Sequence, residues 1–150
     1  MTAAEQTDFD AIAFTPLAAG DPLLAPTPAS GLLGRSFVGV NREVGAVHMR
    51  YVAQPDFANR HGTVQGGLLS AMLDSATALA LGTQLPPGLT AVTVRLDTTF
   101  LRPAPLGPLE VRARVLQRSE REAQSLGEVI GGAGEVLARA TATLRVRPRR

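Results

Sequence analysis

Between Leu68 and Leu81 the chain is built mainly of Leu, Ala and Met, with a single charge, Asp74, and no glycine or proline. Such residues favour helix, and Gly82 followed by Pro86-Pro87-Gly88 predicts where it stops. A surface helix shows one apolar stripe, but this segment is apolar nearly all round. A helix of that kind belongs at the centre of a fold, covered on its sides. The rest of the chain has to supply the cover.

The remaining pattern is strand. Phe37 to Asn41 and Ala46 to Ala53 alternate, turned near Arg42-Glu43-Val44-Gly45. In the second of these, Val47, Met49 and Tyr51 share one face, and His48 and Arg50 share the other, where His48 is expected to be exposed. Pro55 to Thr63 reads as a loop. After the helix, Leu89 to Leu101 alternates until Arg102 to Pro108 breaks it, and Leu109 to Leu116 follows. Ala123 to Ile130 and Val136 to Val146 are joined by the hairpin Gly131-Gly132-Ala133-Gly134-Glu135. The expected class is α+β: one long central helix wrapped by an antiparallel sheet of five to six strands. Its edge strands would invite pairing with another subunit. Residues 31–150 form a single domain on this reading. Residues 1–30, rich in Ala and Pro, read as a flexible arm with a short helix packed on the body.

Composition narrows the function. Aromatics are 4% with no Trp, which leaves little for base stacking, and a net charge of +2 is too small to argue for nucleic acid. Cysteine is absent, so disulfides, thiolate chemistry and Cys-based metal sites are out, and two histidines with no other ligand cluster predict no metal and no cofactor. The acidic N-terminus lacks the basic start of a secretory signal and no apolar run reaches spanning length, so a cytoplasmic protein without membrane partners is expected. All 15 basic residues are Arg, and eleven of them follow Asp74. Arg matches phosphate with a planar fork of donors, which keeps a small phosphorylated ligand in view.

The chemistry gathers around the start of the helix. A carboxylate among so many apolar side chains is costly to bury without a partner or a task. Gly66-Gly67, just before the helix, leaves backbone N–H groups bare and aimed outward. Together they suggest an anion-stabilising helix start with an acid–base carboxylate nearby.

The run Asn59, Gly62, Gln65, Gly66, Gly67 and Asp74 resembles the hotdog-fold acyl-CoA thioesterases, in their phenylacetate-degradation (PaaI-like) branch. The stretch Thr93 to Ala104, ending Phe100-Leu101-Arg102-Pro103-Ala104, is similar to that family's strand and turn, and Gly107-Pro108-Leu109 opens the next strand as the family does. The resemblance covers about Gly31 to Val146. Many relatives carry His where this chain has Gln65, and His61 stands four residues too early to take that role. Gln can donate to a thioester carbonyl but cannot shuttle protons.

The resemblance implies an acyl-CoA hydrolase, with the acyl group aromatic or medium-chain. The Gly66 N–H would stabilise the oxyanion, Gln65 would help to place the carbonyl, and Asp74 would act as general base or nucleophile. Gly66 and Asp74 stand eight residues apart, about 12 Å along a helix axis, so one carbonyl could not touch both within one chain. Relatives dimerise so that Gly66 of one subunit faces Asp74 of the other, and a homodimer or homotetramer is expected. Asn59, His61, Gly67, Thr93 and Arg102 are further substrate-binding candidates, with Arg118 and Arg121 at strand ends where CoA phosphates could bind. Thr77, one turn after Asp74, is also a pocket candidate, though its plainer role is a hydroxyl bonded to its own helix. The alternatives are a non-catalytic acyl-CoA-binding hotdog protein and a hotdog dehydratase, the latter disfavoured by the position of Asp74.

Overall fold

The structure is a computed structural model and describes residues 8–150. Six strands and one long helix make up its body. They are β1 (Ser36–Asn41), β2 (Ala46–Ala53), β3 (Leu89–Phe100), β4 (Gly107–Arg118), β5 (Glu122–Ile130) and β6 (Val136–Pro148). A short helix α1 (Pro28–Leu32) precedes them, and the long α2 (Gly66–Gly82) lies between β2 and β3. The sheet is antiparallel throughout in the order β1-β2-β4-β5-β6-β3, which leaves β1 and β3 at its edges.

Alternation along the strands decides which face the helix covers. Val47, Met49 and Tyr51 of β2, Val111 and Ala113 of β4, and Ala138, Ala142 and Leu144 of β6 are all fully buried beneath α2. From the helix come Met72, Leu73, Ala76, Ala80 and Leu81, each with no exposed surface. Each of the larger side chains contributes about 1.5–3 kcal/mol by leaving water. The helix is the core, as its composition requires, and the expected wrapped α+β architecture forms with six strands.

Both ends of α2 differ from the expected bounds. The Gln65 carbonyl accepts from the N–H groups of Leu68 and Leu69, so Gly66 and Gly67 make the first turn and do not merely precede it. At the other end Gly82 is still helical, and the cap is Thr83, whose N–H donates to the Leu79 carbonyl and whose hydroxyl donates to the Ala80 carbonyl at 2.7 Å. A side-chain hydroxyl therefore ends the helix without a left-handed glycine.

Residues 8–30, expected to be flexible, lie along the body. Thr15 pairs with Val40 of β1 through two backbone hydrogen bonds, and the Asn41 amide donates to the Ala13 carbonyl. Phe9 is 2% exposed, with the Arg112 guanidinium 5.4 Å above its ring and Asp10 bonded to Arg112 at 2.7 Å. Phe14 packs edge-on against His48, which also meets Glu110 at 3.2 Å. His48 is thus half-covered, where an exposed position was expected. Its exposure depended on a segment whose own alternation is too short to read.

Candidate active site

α2 and β3 run antiparallel with a groove between them. Phe100 sits over Gly66, the Ser70 hydroxyl meets that of Thr98 at 3.3 Å, and Ala78 and Gly82 lie across from the start of β3. Three hollows follow one another along this groove. The first, about 360 Å³, is bounded by Asn59, His61, Thr63, Gly66, Phe100 and Arg102. The second is a shallow, open depression over Ser70, Ala71, Asp74, Thr93, Arg95 and Leu96. The third, about 520 Å³, lies beyond Ala78.

Loop chemistry prepares the first hollow. The Asn59 side-chain carbonyl accepts from the N–H groups of His61 and Thr63, at 2.9 and 3.1 Å, and its amide donates to the Thr63 hydroxyl. Gly62, at a φ of 78°, supplies the left-handed residue this tight loop needs. Val64 and Gln65 are then fixed by backbone bonds to Ala104 and Phe57. The chain reaches the helix with the N–H groups of Gly66 and Gly67 free of any acceptor among the described residues. Bare donors at a helix start, reinforced by the helix dipole, favour negative charge placed there.

In the second hollow Asp74 is half-buried, and its Oδ1 is shut from solvent with no hydrogen-bond partner among the described residues. A carboxylate oxygen in that state lacks a hydrogen-bond donor. Thr93 lies beside it where the β3–β6 register slips between Thr93 and Arg95. Bulges of this kind re-aim side chains near working sites. Beneath the helix, the Tyr51 hydroxyl donates to Ser75 at 2.9 Å, and burial pushes its pKa up to about 12.

Of the residues singled out in the sequence, Asn59, His61, Gly66 and Arg102 gather in the first hollow, and Asp74 and Thr93 in the second. Gln65 and Gly67 are exposed at the helix start, outside the lining of the first hollow. Thr77 is not brought to the groove. It is fully buried under the sheet, against Gly127, and its hydroxyl donates to the Leu73 carbonyl at 2.8 Å. One residue on, Ala78 takes the groove position. Sequence reasoning missed Phe100 as the cover of Gly66, and it missed the third hollow altogether. An aromatic two residues before Arg102 was the available signal for the first. The second had none, because it depends on the arm.

A six-stranded antiparallel sheet wrapped round one buried helix is the hotdog fold, the fold of a large class of thioester hydrolases. The thioesterase superfamily model matches residues 61–138. A crystal structure described as a thioesterase, a phenylacetic acid degradation-related protein from Ralstonia eutropha JMP134, is 41% identical. It aligns over 81% of this chain and 92% of its own, with a TM-score of 0.77. A mutant of the phenylacetic acid degradation protein PaaI from Thermus thermophilus is 31% identical over 79% of this chain and 98% of its own, at a TM-score of 0.70. The PaaI protein of Escherichia coli, at 22% identity, a TM-score of 0.72 and coverage of 79% and 83%, shares the fold. No curated protein matches. The chain belongs to the thioesterase superfamily, in its PaaI-like group.

Proposed function

We propose that the protein hydrolyses an acyl-CoA thioester to the free acid and CoA, and that the working unit is a dimer. The observation that carries this is the separation of the two halves of the site. The bare Gly66 N–H and the unpaired Asp74 oxygen lie in different hollows of one groove, about 12 Å apart along the helix. A second copy, set antiparallel across the β3 edge, brings Gly66 of one chain to Asp74 of the other. β3 supports such pairing, because it is an edge strand and carries the exposed apolar side chains Val92, Val94 and Phe100, with Leu101 just beyond.

The thioester carbonyl oxygen rests on the Gly66 N–H, which strengthens as the oxygen gains charge. Asp74 of the other copy either takes a proton from the attacking water or attacks the carbonyl carbon itself. The tetrahedral centre then expels CoA sulfur, breaking the C–S bond, and the thiolate recovers a proton. On the second route water then cleaves the mixed anhydride, releasing the acid and restoring the Asp74 carboxylate. Thr93, beside Asp74, helps to place the water, and Asn59 holds the loop that presents Gly66.

The test is CoA release followed with a thiol reagent, to which a chain without cysteine contributes no background. Asp74→Asn should lower kcat by a factor on the order of 10² to 10⁴ with KM little changed. An Asp74→Asn protein with undiminished turnover would remove the carboxylate from the mechanism.

A further inference from the structure

The third hollow is not accounted for by the reaction at Gly66 and Asp74. It continues the groove beyond Ala78, one helical turn after Asp74. Its lining is mostly apolar, with Leu23, Ala78, Leu79, Leu85, Leu89 and Ala91, and it also carries the charged Asp21, Arg42 and Arg149. Its volume of about 520 Å³ falls in the range of small-ligand sites. One wall comes from outside the sheet and helix. The arm places the turn Pro22–Leu24 across the end of α2, with Leu23 Cδ2 3.4 Å from where a Cβ on Gly82 would stand.

Asp21 holds that turn from both sides. Its Oδ1 accepts from the Leu23 N–H at 3.0 Å, which caps the turn, while its Oδ2 pairs with Arg42 at 2.6 Å. Arg42 in turn donates to the Thr83 carbonyl at 3.1 Å, at the helix cap. A chain of contacts from the helix end through Arg42 and Asp21 thus sets the position of Leu23. An isolated exposed ion pair is worth little, but here it joins two backbone anchors and fixes one apolar side chain at the end of an apolar hollow.

We propose, on the reading of the protein as an acyl-CoA hydrolase, that this hollow takes the acyl group and that Leu23 is the residue that limits its length. The carbonyl reacts at Asp74, so the acyl chain leaves along the groove toward Ala78, where the lining turns apolar. Ala78 stands about 6 Å and Gly82 about 12 Å beyond Asp74 along the axis. With C–C bonds of roughly 1.5 Å laid in a zigzag, about five carbons enter the hollow and about ten reach Leu23. The acyl chain is therefore limited by Leu23 to a reach of about ten carbons.

The experiment measures kcat/KM for acetyl-, butanoyl-, hexanoyl-, octanoyl-, decanoyl-, dodecanoyl- and phenylacetyl-CoA with the wild type, Leu23→Ala and Ala78→Phe. Wild type should gain about fourfold per methylene as the chain enters the hollow, then fall at dodecanoyl. Leu23→Ala should raise the dodecanoyl-to-octanoyl ratio by roughly tenfold, and Ala78→Phe should lower the octanoyl-to-butanoyl ratio by at least as much. These are ratios, so a partly folded preparation does not move them. Arg42→Gln, which breaks the pair holding Asp21 and is itself part of the lining, should shift the profile in the same direction as Leu23→Ala. Activity with a chain-length profile that none of the three variants changes overturns this proposal alone. If Leu23→Ala instead weakens the dimer and leaves the profile as it was, the second copy's Phe100 and Leu101 fill the hollow, and the proposal fails. A wild type that cleaves no acyl-CoA overturns the functional reading itself.

Discussion

Gly66 is the first residue of α2, and its N–H has no acceptor among the described residues. That position is where a helix accepts proline at least cost, and Gln65, at φ −57° and ψ 129°, already has the extended backbone that a following proline requires. Gly66→Pro therefore deletes the proposed oxyanion donor and leaves the helix able to form. The exposed Phe100 ring, 3.1 Å from a Cβ placed on Gly66, can swing outward. Expected is a fall in kcat on the order of 10²-fold with little change in melting temperature, checked by steady-state kinetics beside calorimetry. Tyr51 gives a test of the buried layer under the same helix. It is the only tyrosine, and the chain has neither Lys nor Cys, so no other side chain titrates between pH 9 and 12. Its pKa is raised from 10.0 to about 12, first by burial, with the Ser75 hydrogen bond acting against that. The unfolded chain thus releases the phenolic proton first, and stability falls as pH rises from 10 to 12, by roughly 2–3 kcal/mol at the upper end. Phenolate absorbance should stay flat through pH 10 and rise only with unfolding or near pH 12, and a native transition centred at pH 10 would contradict the burial. At this scale the sequence exposes what chemistry cannot hide, a lone carboxylate in an apolar run and a glycine pair before it. It does not separate Thr77 from Ala78, because one residue on a helix is a rotation of about 100°, enough to pass from groove to core.

The elements were legible wherever period and punctuation agree. The strands β4 and β6 alternate cleanly, Gly or Pro clusters part β3 from β4 and β5 from β6, and the structure places the strands from Leu89 onward within a residue or two of their expected limits. The arm was not, because its turns are three to five residues long and are held by single tertiary contacts such as Thr15 to Val40. The helix-to-sheet contact depends on Gly127 of β5, where a Cβ would stand 3.1 Å from Thr77 Cγ2 and 3.2 Å from Leu73 Cδ2. Nothing about Gly127 in the sequence announces this, since it sits inside a strand pattern. Both neighbours are fully buried, so neither can give way freely. Gly127→Ala should cost about 1–3 kcal/mol. Adding Thr77→Ser removes the crowding methyl and keeps the hydroxyl on the Leu73 carbonyl, so the double variant should recover part of the lost melting temperature. Two additive losses would show that the contact is not the cause.

Across the whole molecule, the unpaired groups of the groove and the open β3 edge ask for the same thing, a second copy. On the proposed reading, a symmetric dimer built across β3 would hold two sites, each joining Gly66 of one chain to Asp74 of the other. Two defects placed in different chains then have a distinct consequence. In a mixed dimer of one Asp74→Asn chain and one Gly66→Pro chain, one site collects both defects and the other collects none. Equal amounts of the two inactive variants, unfolded and refolded together, should form mixed dimers in about half the population, and so recover about a quarter of wild-type activity. If Gly66 and Asp74 of a single chain met at one carbonyl, every site would carry one defect and mixing would restore nothing. Charging the edge supplies the complementary measurement. Val94 is 48% exposed on β3, and Val94→Arg sets two like charges close together across the proposed pairing. That variant should sediment as a monomer and lose turnover in parallel with dimer mass, and activity in a clean monomer would end the shared-site reading.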